Sequence, residues 1–446
     1  MNYKTEDGIF AKISGGIGSS VNVIRISSQS LIINEVCKVF QINQAKLKPN
    51  FTFLSKIFKN GDFLDEALIT YFKAPHSFTG EDCLELALHG SSFILEEVYS
   101  ALISIGLRFA SNGEFSYRAF LNGKMDLVEA EGMANLIASS TKLQHLASKR
   151  QFLGEASREF LHLRALVLEV LAFLESLIDF SDEDLPQDVS FKLEQKVNEV
   201  KNKIEKHLQN TSILSLQDGI RLAIIGRPNA GKSSIFNRLC GYEKAIVSKH
   251  AGTTRDVIEE RMVIKGVPLI FYDTAGIRNS VDEVEMEGVK RAIKTLGKSD
   301  IKILVKSAED NESFEDLAKE LNFKLDENTF CVVNKIDILK PLSQGQNSIH
   351  ISAFTGEGFN TLLKNIEDLI EANFLPLITT GLIASERQKQ MLQKALLHLT
   401  RFNMQKEVEL AGEDLRQAVK SLEEIIGKVD VEDILGGIFS KFCIGK

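Results

Sequence analysis

Arg221-Leu222-Ala223-Ile224-Ile225 runs directly into Gly226-Arg227-Pro228-Asn229-Ala230-Gly231-Lys232-Ser233, followed by Ser234 and a helical pattern through Leu239. An apolar strand, a G-x-x-x-x-G-K-[ST] loop and a helix in that order make a phosphate-binding loop in the context it requires. Its glycines let backbone N–H groups turn inward on phosphate oxygens, and the helix N-terminus adds a favourable dipole. In this reading Lys232 brings mobile positive charge to the β- and γ-phosphates, and the Ser233 hydroxyl is offered to Mg²⁺.

Three further segments follow in the matching order. Asp273-Thr274-Ala275-Gly276 ends the apolar run Leu269 to Tyr272, which sets a carboxylate where Mg²⁺ sits and a glycine beside the γ-phosphate. Asn334-Lys335-Ile336-Asp337 ends the run Phe330 to Val333. Asp337 can accept from guanine N1–H and the exocyclic amine, a donor pair that adenine lacks. Ser352-Ala353, after Ile349 to Ile351, is expected to bring a backbone N–H to the guanine O6. Each motif sits at a strand end, as the α/β rule demands. The set resembles the translation-factor class of GTPases.

Between the phosphate loop and Asp273 lies Ala251-Gly252-Thr253-Thr254-Arg255-Asp256. Thr254 can present a hydroxyl to Mg²⁺ when γ-phosphate is bound, or the segment is a plain Gly turn. Ile277 stands where many GTPases carry a water-orienting glutamine, so hydrolysis needs another residue or partner. Glu283, Glu285 and Glu287 are close in sequence, though three acids also read as a solvated face.

The 446 residues are too many for one core and suit two to four domains. Hydrophobic residues at 44% and charged residues at 26% give the balance of a folded globular chain. Five cysteines (Cys37, Cys83, Cys240, Cys331, Cys443) lack C-x-x-C pairing, which fits a reducing cytoplasm. The N-terminus has no basic segment followed by an apolar core, and Phe160 to Phe180 carries Arg164, Glu169 and Glu175, so neither a signal peptide nor a membrane span is expected. A net charge of −8 supplies no general field for nucleic acid, so an RNA partner needs a local basic patch.

From Gly8 to His89 short apolar runs (Ile9 to Ile13, Val21 to Ser27, Ala67 to Phe72, Cys83 to Leu88) predict strands, and Phe93 to Ile103 a helix, giving a small α+β domain. Beyond Lys124, helical periodicity runs to about Leu214, broken at Ser181 to Pro186. It returns at Leu392, Leu396, Leu399 and Phe402, then at Leu415, Val419, Leu422 and Ile426. An α/β domain inserted into a helical one accounts for the alternation between these regions.

Outside the nucleotide motifs, Thr79-Gly80-Glu81-Asp82, Gly113-Glu114-Phe115, Arg118 to Lys124, Ile178-Asp179-Phe180 and the terminal Phe442-Cys443-Ile444-Gly445-Lys446 resemble the MnmE (TrmE) family of tRNA modification GTPases. The resemblance spans essentially the whole chain. It implies a multidomain α/β and α fold: an N-terminal α+β folate-binding and dimerisation domain (1–120), a helical domain in two segments (121–217 and 376–446), and an inserted Ras-like P-loop GTPase domain (218–375). It also implies a cytoplasmic, membrane-free homodimer that joins the FAD-containing partner MnmG in a heterotetramer. Together they install an aminomethyl or carboxymethylaminomethyl group at C5 of the wobble uridine of certain tRNAs. The one-carbon unit comes from 5-formyl- or methylene-tetrahydrofolate.

Residue by residue, the resemblance assigns folate contacts to Arg25, Glu85, Lys124 and Lys446, and potassium contacts to Asn229, Ser248, His250 and Thr253. Water orientation falls to Glu285, and GTP contacts extend along Ser248-Lys249-His250-Ala251-Gly252-Thr253-Thr254. Arg25 and Lys124 suit the folate's carboxylates, and Glu85 suits the pterin's donor edge. Cys443 would act as a nucleophile or position an intermediate. Two departures stand out: Asn2 to Ser20 lacks the family's Pro-Gly, and Lys306 replaces an aspartate after Ile301 to Val305. An Era-like ribosome-assembly GTPase is the competing reading, since it shares the Thr-Thr-Arg-Asp element, although it carries an RNA-binding module where this chain has helices and a Cys-Ile-Gly-Lys tail.

Overall fold

The computed structural model describes residues 7–15, 19–28, 30–179, 187–209, 219–241, 261–271, 299–339, 348–376, 381–404 and 408–429, and single positions 435, 438, 439, 442 and 445. The chain divides into two compact units, one of residues 1–134, 151–197 and 394–446, the other of 135–150 and 198–393.

In the first unit, β1 (Ile9–Ser14), β2 (Val21–Ser28), β3 (Thr52–Lys59), β4 (Asp62–Phe72), β5 (Asp82–His89) and β6 (Arg108–Phe109) form a sheet of order β3-β4-β5-β2-β1-β6. All pairs are antiparallel except β1 with β6. Alternation along β2 turns Ile24 and Ile26 into a core shared with α1 (Ser30–Val39) and α2 (Ser92–Ser104), and leaves Arg25 on the opposite face. Strand β3, absent from the sequence expectations, is joined to β4 by Asn60-Gly61, both at positive φ (53° and 92°), the backbone that a two-residue hairpin demands. Helices α3 (Glu114–Leu121) and α4 (Leu127–Ala138) follow.

The helical periodicity resolves into α5 (Lys142–Phe152), α6 (Glu155–Asp179) and α7 (Gln187–Gln209). Near the C-terminus, α12 (Val408–Ile426) lies against α6. Arg164 pairs with Glu423, and Arg416 with Glu175, so the two helices run antiparallel. The buried stripe Leu415, Val419, Leu422 and Ile426 is the face that the periodicity predicts. Beyond α12, Leu435, Ile438, Phe439 and Phe442 pack on Leu127, Ala130 and Met133, with Phe78, Tyr117 and Phe120 at the margin.

The second unit is built on β7 (Ile220–Gly226), β8 (Arg261–Ile264), β9 (Val267–Phe271), β10 (Ile301–Ser307), β11 (Thr329–Asn334) and β12 (Ser348–His350), in the order β12-β11-β10-β7-β9-β8. Only β8 with β9 is antiparallel. Helices α8 (Lys232–Cys240) and α10 (Phe359–Leu369) cover one face, and α9 (Phe314–Glu320) the other. The chain leaves β7 for β8 and β9 on one side and returns to β10 on the other. This switch point opens a crevice at the carboxyl end of β7, where the phosphate loop begins. Helix α5 belongs to this unit, with Leu143 against the β8–β9 turn, and so does the start of α11 (Glu386–Arg401).

Candidate functional site

The loop from Gly226 to Ser233 joins β7 to α8 in the predicted arrangement. Asn229 is exposed at φ 63°, Ala230 is buried, and Gly231 adopts φ 92°. A Cβ on Gly231 would lie 2.1 Å from Asn334 Nδ2, so only glycine lets the two segments meet. The Lys232 ammonium folds back on its own loop, donating to the carbonyls of Gly226 (2.9 Å) and Arg227 (2.7 Å). Burial lowers its pKa, an environment that favours the approach of phosphate charge. Ser233 and Ser234 open the first turn of α8, at the helix end where the dipole is positive.

Asn334, buried at the end of β11, is the hub of the site. Its Nδ2 donates to the Ala230 carbonyl at 2.9 Å and its Oδ1 accepts from the Ala353 N–H at 3.0 Å, tying the phosphate loop to the segment after β12. Lys335 takes positive φ, 67°, and carries the chain round to Asp337, whose Oδ1 accepts from Ser352 Oγ at 2.6 Å. Residues from three sequence-predicted segments are thus brought together: Ala230 to Lys232, Asn334 with Asp337, and Ser352 with Ala353. The Ala353 N–H expected at O6 is engaged by Asn334 here.

Two arginines escaped the sequence reading. Arg227, inside the phosphate loop, pairs with Glu312 at 2.8 Å and with Glu320. Lys306 donates to the Glu312 carbonyl and lies 4.8 Å from the Phe314 ring, on the side of the sheet covered by α9. Arg238, on α8, donates through Nε to the Ala353 carbonyl and through Nη2 to that of Phe354, each at 2.8 Å. No spacing rule signals either, because their partners lie 85 to 116 residues away. Ser248 to Thr254, Asp273 to Gly276, Glu285, Cys443 and Lys446 fall outside the described residues.

A second cluster lies on the N-terminal sheet. Register places Arg25 opposite Glu85, and Arg25 Nε donates to Glu85 Oε1 at 2.8 Å, so these two candidate folate contacts engage each other. The Arg25 guanidinium also sits 5.2 Å from the Phe78 ring and 5.8 Å from that of Phe115. Lys124 donates to the Pro75 carbonyl at 2.9 Å. Beneath them Arg118, 1% exposed, binds both Glu81 oxygens (3.1 and 3.0 Å), Glu114 (3.1 Å) and the Asp7 carbonyl (2.7 Å). Asn122 donates to the Thr79 carbonyl at 2.7 Å. The blocks Thr79 to Asp82, Gly113 to Phe115 and Arg118 to Lys124 are therefore one assembly.

The family model described as "GTP-binding protein TrmE N-terminus" matches residues 8–124, and that described as "MnmE helical domain" matches 127–443. The tRNA modification GTPase MnmE of Rickettsia bellii (strain RML369-C) is 40% identical over 98% of this chain and 99% of its own. That of Orientia tsutsugamushi (strain Boryong) is 39% identical over 99% and 100%. Among solved structures, the G domain of the T. maritima FeoB iron transporter is 26% identical over 33% of this chain and 97% of its own, at a TM-score of 0.25. With both regions flanking the nucleotide loop matched, the Era-like alternative falls away, and the chain belongs to the MnmE (TrmE) family of tRNA modification GTPases.

Proposed function

We propose that this chain hydrolyses GTP and couples the cycle to tRNA modification. The observation that carries the nucleotide half is the bridge through Asn334, which joins a phosphate loop to a base loop with Asp337 hydrogen-bonded beside it. Asp337 accepts from the guanine N1–H and 2-amino group, held in orientation by Ser352. Lys232 exchanges its two loop carbonyls for phosphate oxygens. The Ser233 hydroxyl and the Asn229 amide oxygen are hard donors suited to Mg²⁺ and K⁺ respectively, joined by Thr254 for Mg²⁺ and by Ser248, His250 and Thr253 for K⁺. Bound there, the cations would offset charge that builds on the phosphate oxygens. Glu285 orients the attacking water, in place of the glutamine absent at Ile277.

The modification half is assigned to the N-terminal unit. Arg25 and Glu85, each about one-fifth exposed, form a charged pair against two aromatic rings, a donor set that fits a ligand with carboxylates and a pterin edge. Lys124 and Lys446 would complete the pocket for 5-formyl- or methylene-tetrahydrofolate, the source of the one-carbon unit. Residues 1–120 would bind folate and dimerise, 121–217 and 376–446 form the helical domain, and 218–375 hydrolyse GTP. The working enzyme is a cytoplasmic homodimer that joins the FAD-containing MnmG and alters C5 of the wobble uridine. No described helix is long and apolar enough to cross a membrane.

Two measurements test this reading: multiple-turnover phosphate release by the purified chain, and mass spectrometry of tRNA nucleosides from a deletion strain. Turnover together with loss of 5-substituted wobble uridines is expected. Unchanged tRNA with defective ribosomes would overturn it.

A further inference from the structure

The geometry points to Arg238 as the positioning residue that sets the base loop for the guanine 6-oxo group, an inference that rests on the guanine reading above. Its guanidinium fork spans two successive carbonyls, Ala353 and Phe354, each at 2.8 Å. It also lies 5.8 Å from the Phe359 ring at the start of α10, which limits how the fork can tilt. A trans peptide points its C=O and the following N–H in opposite directions. Arg238 therefore turns the Phe354 N–H away from itself, while the Thr355 N–H is taken by Ser352 Oγ at 3.0 Å. Among the described residues no acceptor meets the Phe354 N–H.

Asn334 holds the same loop from the other side, through the Ala353 N–H. Two N–H groups, of Ala353 and Phe354, are thus oriented by two clamps, one from β11 and one from α8. Arg238, Ala353 and Phe354 line an open surface depression of about 450 Å³ with Ser234, Asn237 and Gly241, and Phe354 itself is 87% exposed. The loop is solvent-facing and would lose its peptide orientation without the fork. A planar five-donor guanidinium suits two adjacent carbonyls, whereas a lysine ammonium reaches them only as a point charge.

The test compares wild type, Arg238→Ala and Arg238→Lys in the full-length protein by equilibrium binding of GTP, inosine triphosphate and 6-thio-GTP, with thermal melting in parallel. Preference for GTP over inosine triphosphate reports the 2-amino contact with Asp337; preference over 6-thio-GTP, whose sulfur is a weak acceptor, reports the loop N–H groups. Arg238→Ala should lose about tenfold of the second preference, equal to one ordinary hydrogen bond, and keep the first. Arg238→Lys should fold as wild type and lose part of the second. Equal loss of both preferences, or loss of neither, overturns the role of Arg238; if Arg238→Ala does not fold, wild-type behaviour by Arg238→Lys overturns it alone. A wild type indifferent to inosine triphosphate would instead sink the guanine reading on which the inference stands.

Discussion

At the scale of single residues, Asp337 is proposed to decide which base is accepted, because its carboxylate can only receive hydrogen bonds. Asp337→Asn should weaken GTP binding by about 10²–10³-fold and favour xanthosine triphosphate, whose ring presents an acceptor at the 2-position. Competition binding of the two nucleotides checks this, and a variant that still prefers GTP removes Asp337 from base recognition. A different property is assigned to Asn229 in the same proposal. Its exposed side chain, in a loop followed by no catalytic glutamine at Ile277, is proposed to hold K⁺. Phosphate release should fall strongly when Na⁺ replaces K⁺, an arginine finger in the same role being worth ~10³–10⁵. Asn229→Ala should make the rate equally low in both salts. Equal wild-type rates in K⁺ and Na⁺ would dismiss the cation site.

At the scale of elements, α3 is held to the N-terminal sheet by charge rather than by apolar contact alone. Burial pushes the Glu114 carboxyl up, but hydrogen bonds from Arg108 and from the Ser111 N–H, with the charge of Arg118, outweigh it and hold the pKa below its ordinary 4.5. A carboxyl depressed in the folded state binds its proton more tightly when unfolded. Its contribution is therefore complete above pH 4.5 and is lost as pH falls through the lower folded value. Glu114→Gln should melt well below wild type at neutral pH, with the gap narrowing on acidification through that range. A constant gap would mean that Glu114 acts through shape alone. Arg118→Met leaves Glu114 buried beside fewer positive groups and should cost about 3–5 kcal/mol in denaturant unfolding.

At the scale of the whole molecule, Gly445 lies beside the N-terminal sheet although nearly the full length of the chain separates them. Gly445, at φ 99°, would carry a Cβ only 3.0 Å from Ile13 Cγ2 and 3.1 Å from the Lys12 carbonyl oxygen of β1. Phe442 and Phe439, just before it in sequence, pack on α4. Any residue but glycine at 445 is strained and crowded there, so Gly445→Ala should displace the tail. Wobble-uridine modification should then be sharply reduced while phosphate release stays unchanged, as for Cys443→Ser. Loss of both activities would make the tail a support of the fold, and full modification by both variants would leave the tail without a role in the chemistry.

The sequence alone determined what is local. The phosphate loop, the strand ends that carry Asn334 and Ser352, and the helical faces of α12 depend on spacings of a few residues, and such spacings survive whatever the rest of the chain does. It under-read β3, whose polar alternation is that of a strand at the sheet edge, even though Asn60-Gly61 marked its hairpin. Only the tertiary structure decided the pairing of Arg25 with Glu85 across 60 residues, of Arg118 with Glu81 across 37, and of Arg238 with the base loop across 115. A charged side chain carries no record of its partner in its own neighbourhood. Arg25 meets Glu85 because β2 and β5 pair in one register, and a slip of one residue would turn Arg25 into the apolar core and leave both charges unpaired.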